Sequence, residues 1–225
     1  MAQRYRIYFI YQSICYLIAL KNVINFLPHY VFLYTMELKA IILGASGLVG
    51  GSLLQQLLAD RHYTAIQILV RHPLPLQHPK LKQLVVDFDQ LSRYTHEIQG
   101  DVVFCCLGTT SKKTPDREQY RKVDYQYPLD VAWIAHTNGA TQYHLISSMG
   151  ADIHSSIFYS KLKGEVERDL KAIPFKTIHI YRPSLLVGDR KESRFGELLM
   201  SGFMRVINPL LVGSLSKYRC IEAST

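Results

Sequence analysis

The chain has 225 residues, 48% of them hydrophobic and 20% charged, with a formal net charge of +8. That is enough chain for one sizeable core and an ordinary composition for a globular protein. No repeat unit and no low-complexity stretch interrupts it. The charge invites a nucleic-acid reading, but the basic residues are scattered and none cluster into a run, so no nucleic-acid partner is expected. The four cysteines form no C-x-x-C pair, and Cys105 and Cys106 are adjacent in an apolar run, where neighbours on a strand point to opposite faces. A reduced, cytoplasmic protein without a metal site is expected, since the histidines show no zinc-ligand spacing either.

The first 35 residues carry Arg4, Arg6 and Lys21 but no acid, and are rich in Tyr, Phe, Ile and Leu. They read three ways: a mis-assigned start of translation, a membrane anchor or interfacial helix giving weak membrane association, or an extra folded helix. Lys21, Asn22 and Asn25 make the segment a poor span, because a membrane helix needs about 20 apolar residues. Met36 opens directly into a first strand, so residues 36–225 are taken as the folded domain. From there strand and helix patterns alternate. Strands are expected at Lys39–Leu43, Ile66–Val70, Gln83–Val86, Asp101–Leu107, Tyr143–Ile146 and Thr177–Tyr181. Helices are expected over Gly47–Asp60, Asp124–Asn138 and Ser156–Ala172. This alternation predicts an α/β, Rossmann-type doubly wound parallel sheet with helices on both faces. Ligands of such sheets bind at the carboxyl ends of the strands.

The segment Gly44-Ala45-Ser46-Gly47-Leu48-Val49-Gly50 joins the first strand to the first helix. Gly44 permits the tight turn, Gly47 lets the backbone approach a pyrophosphate, and Gly50 permits close helix packing. The helix N-terminus offers N–H groups and positive dipole to phosphates. A dinucleotide cofactor follows from that placement. Enzymes that prefer NAD usually carry an acid at the end of the second strand; here Arg71 stands there and can pair with a 2′-phosphate. NADPH is therefore favoured over NADH. Asp87, after the third strand, is placed to face the adenine amino group, and Leu107-Gly108, after the fourth, to pass along the cofactor.

Tyr159 and Lys163 lie at i and i+4, on one face of the third helix. Lys161, at i+2, faces away. Ser147 and Ser148 close the strand that precedes this helix. Reduction of a carbonyl needs a proton delivered to the developing alkoxide. A free phenol ionises near pH 10, and a neighbouring ammonium favours the phenolate. Tyr159 is thus a candidate acid, Lys163 its partner, and a serine hydroxyl, Ser148 ahead of Ser147, a donor to the substrate oxygen. The expected function is reduction of a small-molecule carbonyl. The alternative is a redox-inactive NADPH-binding protein with a regulatory or interaction role. Oligomeric state, monomer or homodimer, is left open.

The phosphate loop and the Tyr/Lys pair together resemble the short-chain dehydrogenase/reductase superfamily. Longer runs resemble its atypical Tat-interacting-protein-like branch, with bacterial NAD(P)H-binding, epimerase-like relatives. These runs are Gly44 to Gly47, Phe104 to Thr110, Val123-Asp124 with Tyr127-Pro128, Ser147 to Asp152, Phe158-Tyr159 with Lys163 to Glu165, Tyr181 to Pro183, and Glu192 to Arg194 with Gly196-Glu197. They span about Leu38 to Gly213. The resemblance implies that Ser46 to Val49, Arg71, Leu107 and Gly108 line NADPH. It makes Tyr159 the active-site acid and brings Lys163 to the nicotinamide ribose. It also implies that Leu186 and Arg194 close over the cofactor's far end, and that Arg182 is structural. Two departures stand out. Asp124 occupies the place of a proton-relay Asn, which puts the relay in doubt. The chain stops where relatives continue into a helix, so a truncated C-terminal substrate region is expected.

Overall fold

The structure, a computed structural model, describes residues 4–8, 37–184, 186–187 and 221–222. Its frame is a sheet of seven parallel strands. In chain order the elements are β1 (Arg4–Tyr8), β2 (Leu38–Leu43), α1 (Leu48–Ala59), β3 (Tyr63–Val70), β4 (Leu81–Val85), a 3-10 helix (Phe88–Tyr94) and β5 (Val102–Cys105). There follow α2 (Arg117–Arg121), a π-helical turn (Lys122–Gln126), α3 (Tyr127–Thr137), β6 (Gln142–Ile146), α4 (Phe158–Leu170), β7 (Thr177–Tyr181), and the short pair β8 (Leu186–Val187) and β9 (Ile221–Glu222). The spatial order is β1-β7-β6-β5-β2-β3-β4. The chain runs outward from β2 to β4, then returns to β5 and runs the other way, so the topological switch point lies between β2 and β5. That is where an open α/β sheet binds its ligand.

β2 and β3 are buried on both faces over most of their length, which explains the nearly unbroken apolar runs read there in the sequence. Ile41, Leu43, Val103, Cys105, Tyr143, Leu145, Ile178 and Ile180 point to one face and pack against α3 and α4, through Val131, Ala132, Ala135, Val166 and Leu170. Ala40, Ile42, Ile66 and Ile68 point to the other and meet Leu54, Leu57 and Leu58 of α1. The doubly wound Rossmann-type sheet expected from the alternation is the fold observed.

The boundaries differ where side chains outside the hydrophobic pattern decide them. β3 begins three residues earlier than expected, because Leu38 and Lys39 of β2 pair with Tyr63 and Ala65 across a register shift. β5 is shorter: it stops at Cys105, and the next residues pass beneath the Gly44 turn. The single helix expected over Asp124–Asn138 is two pieces, the end of the π-helical turn and α3, and α2 precedes them where no helix was expected. α2 starts at Asp116, whose carboxylate accepts from the N–H groups of Glu118 and Gln119. In the π-helical turn the Tyr127 N–H reaches back five residues to the Lys122 carbonyl. Pro128 supplies the reason, since it has no N–H for the Asp124 carbonyl and its ring crowds that group.

Six strands were expected, and β1 is a seventh, paired in register with β7 from Arg4↔Thr177 to Tyr8↔Tyr181. The rest of the N-terminal segment, and with it the three readings given above, lies outside the described residues. Among the described residues no helix is long and apolar enough to cross a membrane.

Candidate active site

The glycine loop is built as its spacing implies. Gly44 has φ +79°, and a Cβ there would sit 2.6 Å from the Cys106 carbonyl oxygen, so both conformation and space demand glycine. The Gly47 N–H returns to the Gly44 carbonyl at 3.0 Å and closes the turn. At Gly50 a Cβ would collide with that same carbonyl, so the first turn of α1 packs on the loop itself. Gly47 is the N-cap of α1 and offers no side chain, and the first turn holds no acid. The first N–H groups of the helix, at Leu48 and Val49, are therefore open to an anion. Ser46 is exposed on the same turn.

The remaining candidates lie at neighbouring strand ends. Leu107, partly buried against the core, and Gly108, exposed, follow β5 across the switch point. Arg71 is exposed directly after β3, and among the described residues no carboxylate pairs with it. Asp87 follows β4 and caps the 3-10 helix, accepting from the Asp89 N–H at 3.0 Å and from the Gln90 amide at 2.8 Å. Those two bonds leave lone pairs on its exposed carboxylate. Leu186 is in β8, paired with Ile221; Arg194 lies outside the described residues.

After β6 the two serines part company. Ser147 is buried and its hydroxyl donates to Glu167 of α4. Glu167 is 2% exposed and also receives Arg182, from the end of β7. Ser147 and Arg182 therefore work as a tie between α4 and two strand ends, which is the structural role expected of Arg182. Among the described residues the Ser148 hydroxyl is buried and meets no hydrogen-bond partner, so it is free to bond a ligand. The loop beyond it folds onto the first turn of α4, where the Asp152 N–H donates to the Ser160 carbonyl at 3.0 Å.

That first turn carries Tyr159, 39% exposed. The Lys163 ammonium lies 5.9 Å from the centre of its ring. Lys163 itself is 4% exposed and pairs with Asp124 at 2.9 Å. Burial opposes its charge, but Asp124, with help from Tyr159, more than compensates and holds the ammonium above its ordinary pKa. The other Asp124 oxygen accepts from the Thr109 N–H at 2.8 Å. Asp124 was noticed in the sequence only as a missing relay Asn. Glu167 was not singled out, although its i+4 spacing from Lys163 on the inward side of α4 was a usable signal.

The comparisons bear on the family and the fold. Residues 44–172 match the model of a family described as NAD(P)H-binding. Protein HTATIP2 of Rattus norvegicus is 38% identical over 175 residues, covering 76% of this chain and 72% of that protein. The mitochondrial protein FMP52 of Saccharomyces cerevisiae is 33% identical over 166 residues, 71% of each chain. Among solved structures, the Bordetella bronchiseptica enzyme WbmH in complex with NAD+ superposes with a TM-score of 0.60 at 18% identity, covering 74% of this chain and 63% of that one. ADP-L-glycero-D-manno-heptose-6-epimerase of Helicobacter pylori gives 0.57 at 17% identity, covering 72% and 60%. The chain thus spans about 60% of the length of these structures, which at such identity speak to the fold alone.

Proposed function

The chain belongs to the NAD(P)H-binding family, and on that premise we propose that it holds NADPH at the switch point and reduces a carbonyl group of a small molecule. The observation that carries this reading is the Ser148 hydroxyl, buried and without a hydrogen-bond partner among the described residues, at the end of the strand that precedes the helix carrying Tyr159 and Lys163. The residues present fit the cofactor: an uncapped helix N-terminus for the pyrophosphate, Arg71 for a 2′-phosphate, and an open Gly108 surface at the nicotinamide end. NADPH, when bound, supplies the hydride. Ser148 donates to the substrate oxygen and fixes its position. Tyr159 delivers the proton that the developing alkoxide requires. Lys163, charged and buried, supports the phenol and faces the ribose. The printed name of FMP52 says mitochondrial of those relatives; the free thiols of Cys105 and Cys106 fit a reducing compartment, of which the cytoplasm is one.

A second reading draws on Asp124. A lysine whose charge is already held by a carboxylate lends less to a neighbouring phenol, and that favours a protein that keeps NADPH as a structural or regulatory signal. One pair of measurements separates the readings. NADPH and NADH are titrated against the wild type and Arg71→Ala, and the wild type and Tyr159→Phe are assayed on a panel of carbonyl compounds. Arg71→Ala is expected to weaken NADPH by about 10- to 150-fold and leave NADH alone, since a charged hydrogen bond contributes about 1.5–3 kcal/mol. Tyr159→Phe is expected to bind NADPH normally and to lose turnover by about 100-fold or more. Equal affinity for both cofactors sinks the NADPH preference. Turnover that survives in Tyr159→Phe, or that the wild type never exhibits, sinks the reductase.

A further inference from the structure

Asp124 sits where the π-helical turn, the end of β5 and α4 meet. It is 1% exposed, one oxygen on the Lys163 ammonium and the other on the Thr109 N–H. A Cβ on Gly108 would lie 3.6 Å from its carboxylate, so the group lies just beneath the chain that borders the cofactor path. The turn that carries Asp124 is strapped to α4 on the outside as well, by the Arg121–Glu165 ion pair and by Tyr125 donating to Asp169 at 2.7 Å. The Arg121 guanidinium also stacks 4.1 Å from the centre of the Tyr125 ring. A π-turn inside a helical run is unusual, and such turns concentrate at functional sites.

We propose that Asp124 is a positioning residue for the cofactor site: its carboxylate clamps the Lys163 ammonium to the Gly108–Thr109 turn and keeps that lysine charged before any cofactor arrives. The inference rests on the reading of this site as an NADPH site. Its logic is electrostatic. A buried ammonium without a counter-charge gives up its proton at a lower pH than a solvated one, because burial in low dielectric disfavours the charged form. The titratable groups facing Lys163 are Asp124 on the π-turn, Tyr159 on its own helix and Cys105 on β5. At neutral pH a thiol and a phenol are ordinarily uncharged, so Asp124 is the one group of the three that offsets the burial. An Asn there could accept from Thr109 or from Lys163, and would hold the lysine without neutralising it.

The test is NADPH titration, from pH 7 to pH 9.5, of wild type, Asp124→Asn, Lys163→Met and the double variant, with melting curves to establish folding. Wild-type affinity is expected to stay level across that range. Asp124→Asn is expected to match it near pH 7 and to weaken at least fivefold by pH 9.5, as Lys163 loses its proton. With Lys163→Met the curves should be level again, whether residue 124 is Asp or Asn. A purely structural role for Asp124 would lower the melting point and affinity at every pH, without tilting the curve. An Asp124→Asn profile parallel to the wild type, or a tilt that persists in the double variant, overturns the proposal. If Asp124→Asn does not fold, Asp124→Ser carries the test with the same outcomes: a tilt that Lys163→Met abolishes supports the proposal, and a profile parallel to wild type overturns it. Wild type that binds no dinucleotide at all refutes the NADPH reading itself, a distinct outcome.

Discussion

Ser147 and Ser148 are chemically identical neighbours, and their surroundings treat the two hydroxyls differently. The Ser147 hydroxyl is committed to Glu167, whose carboxylate also holds Arg182. Removing that hydroxyl takes a hydrogen bond from a buried carboxylate, which costs about 1.5–3 kcal/mol. The Ser148 hydroxyl has no partner to lose among the described residues, and removing an unsatisfied buried group is neutral or mildly stabilising. Ser147→Ala is therefore expected to lower stability by about 2 kcal/mol in urea unfolding and to bind NADPH as before. Ser148→Ala is expected to keep or raise stability while turnover falls. The reverse pattern would exchange their roles. The sequence ranked Ser148 ahead of Ser147 without a physical reason. Glu167 is what distinguishes the two hydroxyls, and no local pattern around Ser147-Ser148 reveals a partner twenty residues away in α4.

At the level of elements, the glycine loop, the strand ends and α4 were legible in the sequence because each rests on local chemistry. Gly44 needs a positive φ, the strands need unbroken apolar runs, and Tyr159 with Lys163 needs only helical spacing. The segment from Arg117 to Gln126 was not, because the apolar pattern reads as one helix from Asp124 onward. Two local signals were nevertheless present. Asp116 with Gln119 has the spacing of a helix start, and Asp116 does accept from the Gln119 N–H. Pro128 inside a helical run announces a break. Tyr143 reinforces it by donating to the Pro128 carbonyl at 2.9 Å, which pins the start of α3 to β6. The break has a consequence for the site, since the π-turn sets the angle at which Asp124 enters. Pro128→Ala gives the Asp124 carbonyl an N–H partner, and the turn is expected to relax toward regular α-helix. Thermal stability should hold or rise, while NADPH binding weakens several-fold as Asp124 rotates off Lys163. If affinity is unchanged in a variant whose melting point holds, the π-turn has no part in aligning the pair.

Across the whole molecule the two faces of the sheet are unlike. The face under α3 and α4 is a closed apolar core. On the other face, beyond α1, β5 to β7 present a row of aromatic groups set by strand register: Phe104 opposite His144, and His144 opposite His179. His144 and His179 stack with ring centres 4.4 Å apart, and His144 Nδ1 meets the Tyr181 hydroxyl at 2.9 Å. Read in the sequence only for metal spacing, these histidines belong to the pleat, alternating with Leu145 and Ile178 or Ile180 that face the core. Burial first, and His179 second, push the His144 pKa down from 6.5 to about 3. The folded protein therefore binds fewer protons than the unfolded chain between those values. Stability is level above pH 6.5 on this account and falls as pH drops below it, by roughly 1 kcal/mol per pH unit for one such group. The direction is opposite to that of a histidine stabilised by a carboxylate, which would gain on acidification. His144→Phe keeps the ring in the row but cannot take up a proton. It also gives up the Tyr181 bond, at about 1 kcal/mol, so it should be the less stable protein at pH 7.5. Its urea-unfolding free energy should then decline less steeply than the wild type's from pH 6.5 to pH 4.5, bringing the two curves together. Parallel curves across that window would mean that His144 takes up its proton without opposing the fold.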